Sequence, residues 1–423
     1  MNTSNNAVDY EKNPSTERQT QTETCIQPNR KTNYNPGIRP TLMERVFGYG
    51  RQTFRNWESD KNTEGKGPVL HPILDETSEP PRRLYTVDDV LKVYSYIESQ
   101  GEKIPKLDRP ITIAVWNNKG GVGKTTLVQH LASTMSILMG LKVLVVDTDS
   151  QSDCTYIFDS TQQIKEVKEN YDVQPTLRHY FGFLDTDPET GKETEFQADI
   201  DEVLINLSPT LSVIPSDSDV SELDYDFSFL EGLLRDDKDR DVSKIANVQS
   251  RFLDKILAEH AYDVVLFDCA PNKGALNLNI LYAVDRLLIP IEIEAKCLYS
   301  LKNVLKFLQK MKSYHENFSF EKIIGVPNKY HPQHNIKKEG LNKLKEIFGG
   351  SILSKSVIPQ STVLDQASND KEPIFLRAGD TIKSRATPMA KRVANEFWNL
   401  AHELLDLKTD KLLFPEVSFE GED

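Results

Sequence analysis

A short β-branched run, "ITIAVW" (111–116), opens directly onto "NNKGGVGKTT" and then onto the apolar-periodic stretch "LVQHLASTMSILMG". Strand, glycine-rich turn and helix follow one another with no linker. This succession constrains the fold more than any other feature, because a strand that runs into a helix pairs next with a parallel strand. Matching runs recur downstream: "KVLVVD", "YDVVLFD", "RLLIPIEI", "KIIGVPN" and "SILSKSVIP", each after a helical stretch. The alternation predicts an α/β fold, a mostly parallel sheet with helices on both faces.

The first loop has the chemistry of a phosphate cradle. Gly120, Gly121 and Gly123, with Val122 between them, let the backbone approach phosphate oxygens and turn N–H groups toward them. A helix starting near Lys124 adds the positive end of its dipole. Lys124 supplies a point charge for the β- and γ-phosphates of ATP, Thr125 a hydroxyl for Mg²⁺, and Thr126 one for the α-phosphate. Asp147 and Asp149 stand at one strand end, in "VVDTDSQSD". Asp268 stands at another, in "VVLFDCAP", where a Walker-B carboxylate holds Mg²⁺ through water. The plainer alternative is a glycine turn with an incidental Lys-Thr, and strand-end aspartates that only form turns. One detail departs from the generic G-x-x-x-x-G-K-[ST] pattern. Asn118 stands where glycine is usual, and a second lysine, Lys119, precedes the glycines.

The 423 residues allow two or three domains. Residues 1–37 are polar and apolar-poor and are expected to be a disordered tail. Residues 38–106 read as a small α-helical, winged helix-turn-helix-like domain. Thr41 is expected to cap a first helix, Gly48 and Gly50 to make the turn, and Gln52 to Glu58 to form a second helix with Phe54 and Trp57 on one face. Thr86 and Asp89 then make a capping box for a third. Residues 107–408 form the nucleotide-binding domain, and 409–423 an acidic, frayed tail. The net charge of −13 argues against a uniformly basic nucleic-acid binder while leaving room for a local patch. Cys25, Cys154, Cys269 and Cys297 form no C-x-x-C pair, which fits free thiols in a reducing cytoplasm. No apolar run reaches membrane-spanning length, and the start lacks a signal-peptide layout. "HPQH" (331–334) reads as a loop and not as a metal site.

"KGGVGKTT", "VVDTDSQSDCT", "VLFDCAP" and "VIPQSTVLDQASNDKEPIF", in this order, resemble the ParA/MinD family of deviant Walker-A ATPases over about residues 111–405. The N-terminal layout is similar to that of the larger plasmid-partition members. The resemblance implies that Asn118 is no defect and that Lys119 is the signature lysine. It would reach the partner's phosphates across an ATP-sandwiched homodimer, as an arginine finger does in trans. It further implies Gly121 at the dimer face, Asp149 positioning the attacking water, and Asp147 beside Mg²⁺. Asn328 and Pro359 would hold the adenine. Ser150 replaces the proline usual in partition members.

The family also implies DNA and a ParB-like centromere-binding protein as partners, no membrane, and a cytoplasmic, nucleoid-associated location. ATP hydrolysis would be weak alone and stimulated by the partner. An arginine that shorter relatives use on DNA is matched here by Val363. Other candidates are Lys337, Lys338, Lys343 and Lys345 on one predicted helix, and Lys383, Arg385, Lys391 and Arg392 near the last. In the N-terminal domain Arg51, Gln52 and Arg55 would face bases, and Arg82 and Arg83 the backbone. A helical dimerisation arm without base contacts is the alternative there. The implied function is plasmid partition with autorepression of the operon. The alternatives are an ATPase positioning a protein cargo, such as a carboxysome or chemoreceptor cluster, and an ATP-sensing transcription regulator.

Overall fold

The computed structural model describes residues 37–58, 67–76, 81–102, 104–158, 176–181, 183–186, 193–196, 198–225, 252–314, 317–349, 351–378, 386–409 and 411–415. Nearly all of the expected disordered tail, Cys25, Lys383 and Arg385 lie outside these residues.

The chain begins with helices α1 (Pro40–Phe47) and α2 (Arg51–Trp57), strands β1 (Ile73–Asp75) and β2 (Arg82–Leu84), and helix α3 (Val87–Ser99). Then come β3 (Ile111–Val115), α4 (Lys124–Ser133), β4 (Val143–Thr148), α5 (Asp153–Phe158), α6 (Leu177–Phe181), the hairpin β5 (Phe183–Thr186) and β6 (Glu193–Phe196), α7 (Ile200–Val203), β7 (Ile205–Ser208) and β8 (Leu211–Ile214). The rest is β9 (Val264–Cys269), α8 (Ala275–Ala283), β10 (Arg286–Glu292), α9 (Cys297–Tyr314), β11 (Lys322–Asn328), α10 (Asn335–Phe348), α11 (Thr362–Asn369), α12 (Ile374–Ala378) and α13 (Ala386–Leu405).

Seven strands form one sheet in the order β11-β10-β3-β9-β4-β8-β7. All pairs are parallel except β7 with β8. Every residue of β3, β4 and β9 is buried, as continuous apolar strands require when both faces are covered. The pleat sends Ile113, Val115, Val143, Val145 and Leu266 into one core with α4, α11, α13 and the N-terminal elements. Their neighbours Ala114, Leu144, Val146, Val265 and Phe267 enter a second core with α8, α9 and α10. Val115 and Asp147 both lie in register with Asp268, so the loops after β3, β4 and β9 converge at the carboxyl ends of the central strands. Open α/β sheets bind ligands there.

The N-terminal elements join the first core. Gly48, at φ 75°, ends α1, and Gly50 begins α2. Phe47 meets Tyr94 edge-on at 4.8 Å, and Phe54 and Trp57 are buried beneath α2. The Thr86–Asp89 capping box forms as expected. The Tyr94 hydroxyl donates to the Leu138 carbonyl, which ties α3 to the chain just beyond α4.

Several local expectations change. Helix α1 starts at Pro40 with Arg39 at its N-cap, because proline suits the first turn better than Thr41 suits the cap. The helix after the glycine loop turns into a π-helical segment, Thr134–Leu138, in place of a uniform α-helix. "SILSKSVIP" makes only isolated bridges, at Leu353 and Pro359. Pro327 in β11 offers no N–H there, and between the bridges the Ser354 hydroxyl donates to Glu403 and the Val357 N–H to Glu396. Of the tail expected to fray from 409, the described part docks through Leu413 and Phe414, both buried, and Asn395 exchanges two hydrogen bonds with the Phe414 backbone, while residues 416–423 lie outside the described residues.

Candidate nucleotide site

Helix α4 starts at Lys124, behind a loop held open from outside. Gly121 and Gly123 take φ of 71° and 89°, the left-handed region that side chains disfavour. Lys329 Nζ donates to the Gly121 carbonyl at 2.5 Å, and Asn328 Nδ2 to the Val122 carbonyl at 2.7 Å. A planar peptide points its N–H opposite its carbonyl, so these bonds turn the next amides toward the other side of the loop. Asn117 anchors the entry, donating to the Pro290 carbonyl at 2.8 Å and accepting from the Lys119 N–H at 3.1 Å.

Lys124 is buried beside Asp268. Burial pulls its pKa down, while Asp268 and Asp149 oppose the shift. Asp268 is 1% exposed, and neither carboxylate oxygen closes a hydrogen bond among the described residues. Burial, then Asp147, pushes its pKa well up. The Thr125 hydroxyl and the Lys124 ammonium draw it back only in part. A buried carboxylate without partners beside a threonine and a lysine fits a cation delivered with a phosphate. Asp147 differs. Its oxygens accept from the Asp149 N–H at 3.1 Å, the Thr155 N–H at 2.8 Å and the Thr155 hydroxyl at 2.7 Å. Burial raises it to about 7 in spite of these bonds. Asp149 sits in the tight turn that follows, where its carboxylate accepts from the Gln151 N–H at 3.1 Å.

Lys119 is paired with two acids at the end of β10. Its Nζ donates to Glu292 at 2.6 Å and to Glu294 at 2.8 Å. Lys119 in turn holds the Glu292 carboxyl below its usual range, against the upward pull of burial. The structure also brings Asn328 and Pro359 together, since Tyr330, two residues after Asn328, bridges Pro359. Thr125 and Thr126 follow Lys124 in the first turn of α4.

The expected DNA contacts scatter. Lys337 is engaged internally, donating to the Lys329 carbonyl and to Gln360, both at 2.6 Å. Lys338 is exposed, while Lys391 and Arg392 are half-buried on α13. On α2, Arg51, Gln52 and Arg55 share the exposed face, with Arg51 bonded to Glu44 and Gln52 to Asn56. Arg83 pairs with Glu58. Sequence reasoning missed Glu292, Glu294, Lys329 and Thr155. The alternation in "IEIE" was a usable signal for the first two, because acids two apart on a strand share a face.

Residues 111–321 match the family model described as an AAA domain. The chain is 24% identical over 344 residues to a putative replication protein A of Rhizobium rhizogenes, with 78% of each chain covered. It is 24% identical over 265 residues to the chromosome partitioning protein ParA of Caulobacter vibrioides, covering 62% of this chain and 86% of that one. Its fold is similar to that of the McdA–ATP complex from Cyanothece, with a TM-score of 0.54 at 19% identity over 71% of this chain and 98% of that one. No described helix is long and apolar enough to cross a membrane. With the deviant loop and the aspartates gathered around it, these matches show that the chain belongs to the ParA/MinD-type family of P-loop ATPases.

Proposed function

We propose that this chain is a DNA-partition ATPase whose ATP-bound homodimer binds DNA and is reset by hydrolysis. The observation that carries the reading is the position of Lys119. A lysine that precedes the phosphate loop yet rests on Glu292 and Glu294 is free of its own nucleotide site and can serve another. The match to the Rhizobium protein spans more than the ATPase part alone, which favours a role that uses the N-terminal elements as well.

The residues divide the work. The amides of 120–123 and the α4 N-terminus bind phosphate oxygens, and Lys124 adds charge at the β- and γ-phosphates. Thr125 and Asp268 would hold Mg²⁺, which neutralises charge on the phosphates when bound. Asp147 orders the Thr155 turn and so sets Asp149, the group that orients the attacking water. Asn328 and Pro359 line the base side. Lys119 of one subunit stabilises charge developing on the other's phosphates. The exposed face of α2 would read an operator, and a centromere-binding protein would stimulate turnover.

Lys119→Ala tests the reading. Expected is retained binding of a fluorescent ATP analogue, with DNA- and partner-stimulated hydrolysis down at least about 100-fold. Stimulated turnover at the wild-type rate would remove Lys119 from the mechanism and the trans reading with it.

A further inference from the structure

The sheet face opposite the N-terminal elements carries a surface that the sequence motifs do not single out. Helix α9 holds Lys302, Lys306, Lys310 and Lys312 and, across its 18 residues, no Asp or Glu. The whole chain has 64 acidic against 51 basic residues, so this helix runs against the overall balance. Leu301, Val304, Leu308 and Met311 anchor it in the second core. Tyr299, Lys302, Lys306 and Gln309 emerge on the opposite side, exposed. Lys302 and Lys306 are one turn apart, roughly 6 Å along the helix axis, and share that face.

Other segments bring further cations to the same helix. Lys296, exposed, immediately precedes α9. Lys273, exposed in the loop after β9, places its Nζ 4.6 Å from the centre of the Phe307 ring on α9. None of Lys296, Lys302, Lys306 and Lys312 makes an ion pair among the described residues. Helix α10 crosses the start of α9 with Gly340 against Cys297, and adds exposed Lys338, Lys343 and Lys345 nearby.

We propose that Lys273, Lys296, Lys302 and Lys306 form a surface for the phosphate backbone of duplex DNA. The proposal rests on the partition reading above and assigns its DNA contact to α9, in place of Lys337, Lys391 and Arg392. A row of lysines around one aromatic offers evenly spaced phosphates a matching row of charges. On α9 itself the one large exposed apolar side chain offered to a protein partner is Tyr299. Contacts of this kind position a duplex without reading its sequence.

The test uses the full chain, a labelled random-sequence duplex, Mg²⁺ and a non-hydrolysable ATP analogue, with affinity measured across a salt series. For Lys302→Glu with Lys306→Glu, affinity at low salt should fall at least tenfold. The slope of log K against log salt should become shallower by about 0.9 for each phosphate that is no longer neutralised. Analogue binding and dimerisation, read by light scattering, should persist. Lys302→Gln with Lys306→Gln should give a smaller decrease in the same direction, and serves alone if the Glu pair does not dimerise. Unchanged affinity and slope in dimerising variants overturn the α9 assignment and leave the partition reading standing. So does normal DNA binding combined with absent stimulation by a partner protein, which would make the face a protein surface. A wild-type dimer that binds no duplex at any salt concentration overturns both.

Discussion

Asp268 is a buried carboxylate whose oxygens close no hydrogen bond among the described residues, with only the nearby Thr125 hydroxyl and Lys124 charge to offset its burial. Such a group destabilises the empty protein and is stabilised further by what the site binds. Asp268→Asn is therefore expected to raise nucleotide-free stability by about 1–3 kcal/mol, while Mg²⁺-dependent ATP binding weakens. Thermal denaturation in chelator, beside titration of Mg²⁺-ATP, checks both halves, and a less stable variant would contradict the account. Lys119 poses the reverse case, a charge paired with two acids. On the proposed trans role, its two bonds to Glu292 and Glu294 would break before it reaches a second subunit. Replacing both acids by glutamine should lower the ATP concentration needed for dimerisation several-fold. Light scattering against nucleotide concentration reads this, and an unchanged midpoint would show that the pair does not restrain Lys119. The glycines, Lys119, Lys124 and the three aspartates were legible in sequence because each belongs to a local pattern. The alternation in "IEIE" marks the acid pair, but its meeting with Lys119 was not legible, because the partners lie 173 and 175 positions apart.

Helix α4 leads from the phosphate loop into a π-helical turn, and α3 docks on that turn through Tyr94. Gly140, at φ 68°, lets the chain pass the Tyr94 ring, where an added Cβ would lie 2.7 Å from Cδ2. Gly140→Ala should thus destabilise the protein by about 1–3 kcal/mol through strain and overpacking. Tyr94→Phe, which keeps the ring and removes the hydroxyl's bond, should cost only about 1 kcal/mol. Denaturant melts give both values, and equal losses would mean that the hydroxyl and not ring packing joins the elements. Periodicity foretold that α4 and α3 are helices. It could not foretell the π turn, since α and π segments bury the same apolar residues and differ only in where the backbone bonds close.

His130, completely buried, links α4 to three later helices across the first core. Its Nδ1 accepts from the Ile374 N–H at 3.3 Å, the Ser368 hydroxyl lies 3.3 Å from Nε2, and the Phe397 ring lies 5.0 Å away. Burial lowers its pKa to about 3 from a usual 6.5. The folded state therefore binds its proton less readily than the unfolded state. Its contribution is full above about pH 6.5 and is lost as pH falls toward 3. Stability should drop by up to about 1.4 kcal/mol per pH unit from this group. Melts of wild type and His130→Gln from pH 7 to 4 check this. The difference between the two profiles should shrink with acidification, and parallel profiles would refute it.

By itself the sequence determined the alternation of strands and helices, the phosphate loop and the family. Each of these rests on residue types at short spacings, where backbone geometry leaves few choices. Only the tertiary structure decided which charges are spent internally, as with Lys337 and Lys119, and which stand free on a surface, as with Lys302 and Lys306. It also decided which carboxylate is left without a partner. Those outcomes depend on contacts between segments far apart in the chain, which the sheet order brings together and local pattern does not encode.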